Sequence, residues 1–291
     1  MEHFYVISND DKDIQHREAY RIQNYLEKKG ASCQIRCHDV KKKVRGDIQE
    51  QAYLYTNPAM VPPKTQCIIS VGGDGTLIQA ARDLVQLQIP IIGINFGTLG
   101  YLAQEREPLE DTLDKLIAED FEIQQRMMLE GVIVRDKKEI NKSFALNDIV
   151  LNRTRDMHVL DFQICVNGSV MNQYKADGMI VSTPTGSTAY NLSAGGPIVE
   201  PCAKLIVLTP ICAHTLNTRS VVLSPEDVIE IRLGEHGARE AEGCAAFDGV
   251  QLEQVKRGDC IRIYQSKLHT KIIKLGDTSF MEVLRQKMRN T

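Results

Sequence analysis

The chain carries two hydrophobic rhythms, and the change from one to the other marks its organisation. Over roughly the first 120 residues, short apolar runs alternate with stretches whose apolar positions recur at helical spacing. Phe4-Tyr5-Val6-Ile7 reads as a strand. Residues 14–29 predict a helix with Ile14, Ile22, Tyr25 and Leu26 on one side and Gly30 as a left-handed stop. A strand is expected near residues 32–37, and a second in the apolar run Gln66-Cys67-Ile68-Ile69-Ser70-Val71, which Gly72-Gly73-Asp74-Gly75 breaks. Thr76 opens a helix to about residue 87, Pro90-Ile91-Ile92-Gly93-Ile94-Asn95 gives another buried strand, and residues 107–118 form a helix with Leu109, Leu113 and Leu116 on one face. Apolar strands separated by helices imply parallel pairing with crossovers, hence an open α/β sheet.

After about residue 119 the period becomes two. Val132 and Val134 precede the turn Asp136-Lys137-Lys138-Glu139, and Phe144, Leu146, Ile149 and Leu151 follow it. Phe162, Ile164 and Val166 alternate up to Asn167-Gly168, a favoured hairpin dipeptide. This part is expected to be mainly antiparallel β, giving an α+β protein overall. The last predicted element, residues 277–288, is a capped amphipathic helix with Phe280, Val283, Leu284 and Met288 aligned. The expected division is an α/β domain over 1–120, a mainly β domain over 121–269, and a C-terminal segment 270–291 that packs back on the first domain.

Composition narrows the function. With 35 basic against 38 acidic residues and a formal charge of -3, the chain has no excess charge with which to hold nucleic acid. Its start lacks a basic region followed by an apolar run, and the roughly 18 successive apolar residues of a membrane helix occur nowhere, so a soluble, cytosolic protein is expected. The 8 cysteines are dispersed without a C-x-x-C pair and read as reduced thiols. Cys33, Cys37 and His38 are close enough to raise a metal site, but Cys33, Ile35 and Cys37 alternate as one strand face should. The basic run Lys41-Lys42-Lys43-Val44-Arg45 reads as a solvated loop. Asn167-Gly168-Ser169 and Asn191-Leu192-Ser193 match the glycosylation pattern, and both read as turn or loop.

Two constellations carry chemistry. Gly72-Gly73-Asp74-Gly75-Thr76 lies where a strand ends and a helix begins, the place where open α/β sheets bind ligands. Gly72, Gly73 and Thr76 are candidates for phosphate contact: glycine lets an anion approach the backbone, and helix N-terminal amides attract it. Asp74 would project a carboxylate into the cleft. Neither a G-x-x-x-x-G-K-[ST] loop nor a G-x-G-x-x-G fingerprint is present, which disfavours a P-loop kinase and a dehydrogenase. The second constellation, residues 177–197, follows a strand-like core at Met179-Ile180-Val181 with a dense hydroxyl, Gly and Pro run suited to wrapping a polyhydroxyl ligand.

These motifs, with Asn95-Phe96-Gly97-Thr98-Leu99-Gly100-Tyr101-Leu102 and Ala145-Leu146-Asn147-Asp148, resemble those of the NAD kinase family in order and spacing from about residue 67 to residue 201. The first motif is shared with lipid kinases and phosphofructokinases; the second-domain motif is specific to the family. The resemblance implies phosphoryl transfer from ATP, with a divalent cation such as magnesium, to the adenosine ribose 2′-hydroxyl of NAD. Asp74 matches the proton acceptor, with Gly75 beside it. Asn147 and Asp148 match the adenosine ribose pair, and Asp177 the acid at the nicotinamide end. Tyr101, Thr185, Thr188, Ala189, Tyr190 and Ser193 match the dinucleotide site. Lys175 and His158 match basic or polar contacts that often come from a neighbouring subunit, and Ala213 and Asp248 complete the implied set. The family usually has Asn-Glu where this chain has Asn147-Asp148, which shortens the acid's reach. A homodimer or homotetramer is implied. The competing readings are a lipid or sugar kinase sharing the Gly-Gly-Asp-Gly core and a non-catalytic NAD(P) sensor.

Overall fold

The computed structural model describes residues 1–9, 12–38, 56–96, 100–102, 108–154, 159–214, 218–234 and 242–289. The run 41–45, Glu107, His158 and the middle of the Asn95 to Leu102 motif lie outside the described residues. The chain divides into two units, one comprising Met1–Gln125 with His269–Thr291, the other Arg126–Leu268.

In the first unit, β1 (His3–Asn9), β2 (Ser32–His38), β3 (Cys67–Val71) and β4 (Ile91–Ile94) form a parallel sheet in the order β2-β1-β3-β4. The C-terminal stretch of a later strand, Cys260–Lys274, adds itself beside β4, with Ile272 opposite Ile91. Every residue of β3 is buried, as a strand covered on both faces requires. Phe4, Val6, Ile69, Val71 and Ile92 meet Ile22 and Leu26 of α1 (Arg17–Lys28) and Leu109, Leu113 and Leu116 of the helix Leu109–Ala118 on one face. The strand expected around Cys33 and Cys37 is β2, and the Cys33 side chain packs against this core.

The first helix departs from its sequence pattern. Gln15 and His16 adopt positive φ, so the α-helix starts at Arg17 and leaves Ile14 77% exposed. The cause is the buried Asp13 carboxylate, which accepts N–H donors from Glu18 at 2.9 Å and Ala19 at 3.0 Å and starts the helix later than the apolar pattern does. Its end follows the sequence: Gly30 at φ 86 lets the Ala31 N–H reach Leu26 O at 3.0 Å. The C-terminal helix, Phe280–Arg289, belongs to this unit and opens with a capping box between Ser279 and Glu282. None of its residues is fully buried, and Met288, expected on its apolar face, is 67% exposed.

The second unit is antiparallel. Its hairpins are set by two-residue turns at positive φ: Asp136-Lys137 joins β5 (Glu122–Arg135) to β6 (Lys138–Ala145). Asn167-Gly168 joins β8 (Leu160–Val166) to β9 (Ser169–Ala176) after β7 (Asp148–Arg153). Further on come β10 (Gly178–Ser182), β11 (Ile206–Ile211), β12 (Val221–Leu223) and β13 (Ile229–Leu233), followed by β14 (Glu242–Phe247) and β15 (Val250–Lys256), which Asp248-Gly249 connects by a turn of the same kind. One sheet runs β12-β11-β10-β7-β14-β15; β13, β8 and β9 pair in sequence in the other, with the strand Cys260–Lys274 against β13. Leu151, Met179, Leu208 and Phe247 of the first sheet share one core with Phe162, Ile164, Ile231 and Ile263 of the second. The expected combination of a parallel α/β part and an antiparallel β part is the fold observed.

Candidate active site

Asp74 opens the helix α2 (Asp74–Leu84), with Gly73 as cap residue and no side-chain cap on its first-turn amides. Gly72 has φ 153, and a Cβ there would lie 2.5 Å from Thr76 Oγ1, so only glycine makes this turn. The Asp74 carboxylate is half-buried and accepts backbone N–H groups from Tyr101 at 2.7 Å and Leu102 at 3.3 Å. Gly100 makes the approach possible, because a Cβ on it would stand 2.0 Å from Asp74 Oδ1. The Tyr101 ring is covered by Lys287 of the C-terminal helix, with Nζ 4.7 Å from the ring centre. Thr76 Oγ1 accepts from Asn9 Nδ2 at 3.3 Å, and Gly75 is exposed.

In the second unit, Asn147 and Asp148 occupy the entry to β7 and are buried. The Asp248 carboxylate, at the tip of the β14–β15 hairpin, accepts the backbone N–H groups of Leu146 and Asn147 at 2.7 Å each and of Asp148 at 3.1 Å. Asp248 therefore shapes the backbone around Asn147 and Asp148. From the other side, Thr183 Oγ1 donates to Leu146 O at 2.6 Å, the Thr183 N–H donates to Asn147 O at 2.8 Å, and Gly186 packs where a Cβ would be 2.1 Å from Asn147 O. Burial, and secondarily the Asp248 charge, push the Asp148 carboxyl up to about 7. Two oxygens remain buried with no protein partner in this segment: Asn147 Oδ1 and Thr185 Oγ1. Buried acceptors without partners are rare, and here they point to a ligand with hydroxyl or amide donors.

The hydroxyl-rich run after β10 divides by function. Asn191, fully buried, donates to Ser187 O and Pro197 O and accepts from Thr209 Oγ1 at 2.6 Å. Ser187 ties to both backbone groups of Val199. With these inner polar groups committed to shape, Thr188 and Ala189 remain half-buried, and Tyr190 and Ser193 exposed. Asp177, directly before β10, is half-buried; its carboxylate meets Arg153 Nε at 3.0 Å. Lys175 is exposed on β9 and Ala213 half-buried after β11, while His158 lies outside the described residues. Reading the sequence alone assigned no role to Gly100, Thr183 or Arg153. Gly100 stood in a quoted motif, but its contact with Asp74 depends on the chain's return from residue 74.

Comparison with known proteins identifies the family. Residues 5–121 match the model of the ATP-NAD kinase N-terminal domain and residues 146–275 that of the ATP-NAD kinase C-terminal domain. An NAD kinase of Lachnospira eligens is 42% identical over 99% of this chain and 100% of its own length. One of Agathobacter rectalis is 40% identical over 100% of this chain and 99% of its own. The crystal structure of yeast NADH kinase complexed with NADH superimposes with a TM-score of 0.82 at 21% identity, over 99% of this chain and 88% of that one. An NAD kinase from Archaeoglobus fulgidus in complex with ATP gives 0.74 at 24% identity, over 99% of both chains, and at such identities the likeness speaks to the fold. Fold and sequence define a phosphotransferase assembled from an α/β unit and an antiparallel β unit. The chain belongs to the ATP-NAD kinase family, which matches along both units and is shared with full-length relatives.

Proposed function

We propose that this enzyme moves the terminal phosphoryl group of ATP onto the adenosine ribose 2′-hydroxyl of NAD, with Asp74 as proton acceptor. The observation that carries the reading is the pair of buried oxygens left without protein partners, Asn147 Oδ1 on a segment braced from both sides and Thr185 Oγ1 on the run after β10. A sugar hydroxyl donating to Asn147 Oδ1 removes the cost of an unmade hydrogen bond in a dry site, about 1–3 kcal/mol. The same cost makes the site reject a ligand lacking that hydroxyl. Asp148 adds the second ribose contact, Asp177 meets the nicotinamide end, and Thr188, Ala189, Tyr190 and Ser193 line the dinucleotide. Tyr101 and Ala213 complete the contacts, and Asp248 acts through the Asn147-Asp148 backbone.

Phosphoryl transfer needs alignment and charge stabilisation more than covalent help from the protein. The uncapped amides at the start of α2, with Gly72, Gly73 and Thr76, supply an electropositive backbone for the triphosphate. Asp74, held by two N–H donors, has one fixed orientation in which to take the hydroxyl proton late in the transfer. Among the described residues no three His, Cys, Asp or Glu side chains gather to hold a metal ion. The divalent cation accompanies ATP as part of the substrate, bound by phosphate oxygens and water.

The family's subunit contacts also come to this chain as part of the proposal. Lys175 lies exposed on β9, where a homodimer or homotetramer brings it to a neighbour's site. The described cysteines are free thiols, in keeping with a reducing cytoplasm. The test is a cycling assay for NADP with purified protein, ATP, magnesium and NAD, run beside Asp74→Asn. The variant is expected to bind NAD normally and lose roughly 10²–10⁴ in turnover. Near-normal NADP formation by it removes Asp74 from the role.

A further inference from the structure

The acid placed at the nicotinamide end is neutralised by a cation from the same sheet. Arg153 ends β7 and Asp177 immediately precedes β10, and the antiparallel register puts Asn152 opposite Gly178, which brings the two side chains alongside. The Arg153 N–H donates to Asp177 O at 2.9 Å, and Arg153 Nε meets Asp177 Oδ1 at 3.0 Å. The backbone beneath the pair is fixed: the Asp177 N–H donates to Ile211 O at 3.0 Å, and a Cβ on Gly178 would stand 2.1 Å from Leu151 O. The side chains of Arg153 and Asp177 are 32% and 22% exposed, so one flank of the pair remains open to a ligand.

The oxidised nicotinamide ring carries a positive charge and the reduced ring none, so a net negative charge beside the ring favours NAD over NADH. A carboxylate paired with a guanidinium accepts a hydrogen bond from the carboxamide of either form while presenting little net charge. Resting on the assignment of Asp177 given above, we propose that Arg153 sets redox selectivity: by neutralising Asp177 it lets the site accept reduced as well as oxidised dinucleotide. Arg153 is a specificity-determining residue that acts through Asp177 and not on the transferred phosphoryl group.

The experiment measures kcat/KM for NAD and for NADH in the wild type, Arg153→Gln, Arg153→Lys and Asp177→Asn, with NADP and NADPH quantified separately. The ratio of the two constants is independent of the fraction of active enzyme, so partial misfolding of a variant does not alter it. Removing a partly exposed charge beside a charged ring is expected to raise the NAD to NADH ratio roughly three- to tenfold in Arg153→Gln. Arg153→Lys, which keeps the charge, returns it toward the wild-type value, and added salt shrinks the difference. A ratio in Arg153→Gln within about twofold of the wild type, with Asp177→Asn still raising KM for both dinucleotides, overturns the role of Arg153 alone. If Asp177→Asn leaves both KM values unchanged, Asp177 is not at the nicotinamide and the underlying assignment falls with the proposal.

Discussion

Replacing Asp148 by Asn isolates the electrostatic cost built into the Asn147-Asp148 segment. Asp148 is 5% exposed, and its carboxyl moves from 3.8 to about 7, first through burial and second through the Asp248 carboxylate. The folded chain therefore binds this proton more tightly than the unfolded chain does. Between about pH 4 and pH 7 the native state holds more protons, so the stability difference falls as pH rises and the full penalty stands above about pH 7. At ~1.4 kcal/mol for each pH unit, the interval from 3.8 to about 7 corresponds to at most ~4 kcal/mol. Asparagine has no such proton to lose. Urea unfolding of both proteins at about pH 5 and about pH 8 should show the wild type losing up to ~3 kcal/mol relative to Asp148→Asn at the higher pH, the share of the penalty that falls above pH 5. A stability difference between the two proteins that is equal at both pH values would refute the reasoning.

Other outcomes follow from the same geometry. Gly100→Ala places a Cβ 2.0 Å from Asp74 Oδ1, so the carboxylate must move; turnover should fall by ~10² with NAD binding by calorimetry little changed. Asp248→Ala strands three backbone N–H groups and should cost about 2–4 kcal/mol in a denaturant titration, together with a raised KM for NAD. Asn147→Ala removes the buried acceptor and should raise KM for NAD by roughly tenfold, a shift absent if Asn147 Oδ1 makes no ligand contact.

Much of the architecture was legible because it is local. Gly30 and Asn167-Gly168 stand where positive φ is needed, and the leucines of residues 109, 113 and 116 point one way in any helix. Ile14 misled because its apolar character suggested continuation, whereas a buried carboxylate at Asp13 captured the first-turn amides of Glu18 and Ala19, five and six residues further on. The candidate site was legible as motifs, but not as a division of labour. Asp248-Gly249 is a hairpin signal as plain as Asn167-Gly168, yet only the register of β14 against β7 shows its carboxylate spent on backbone amides a hundred residues away. Thr183 and Asn191 look like their neighbours Thr185 and Ser193 in sequence. Burial and partners separate those that shape the loop from those left for a ligand. The Arg153–Asp177 pair depends on strand register and has no sequence signature of its own.

The hairpin at Asp248 has a bearing on synthesis as well. A chain emerging from the ribosome has made Asn147 and Asp148 long before the residue that arranges their backbone exists, and the strand that flanks Ile91 in the first unit comes later still. Both contacts join residues far apart in sequence, the kind of pairing that closes late when a chain folds.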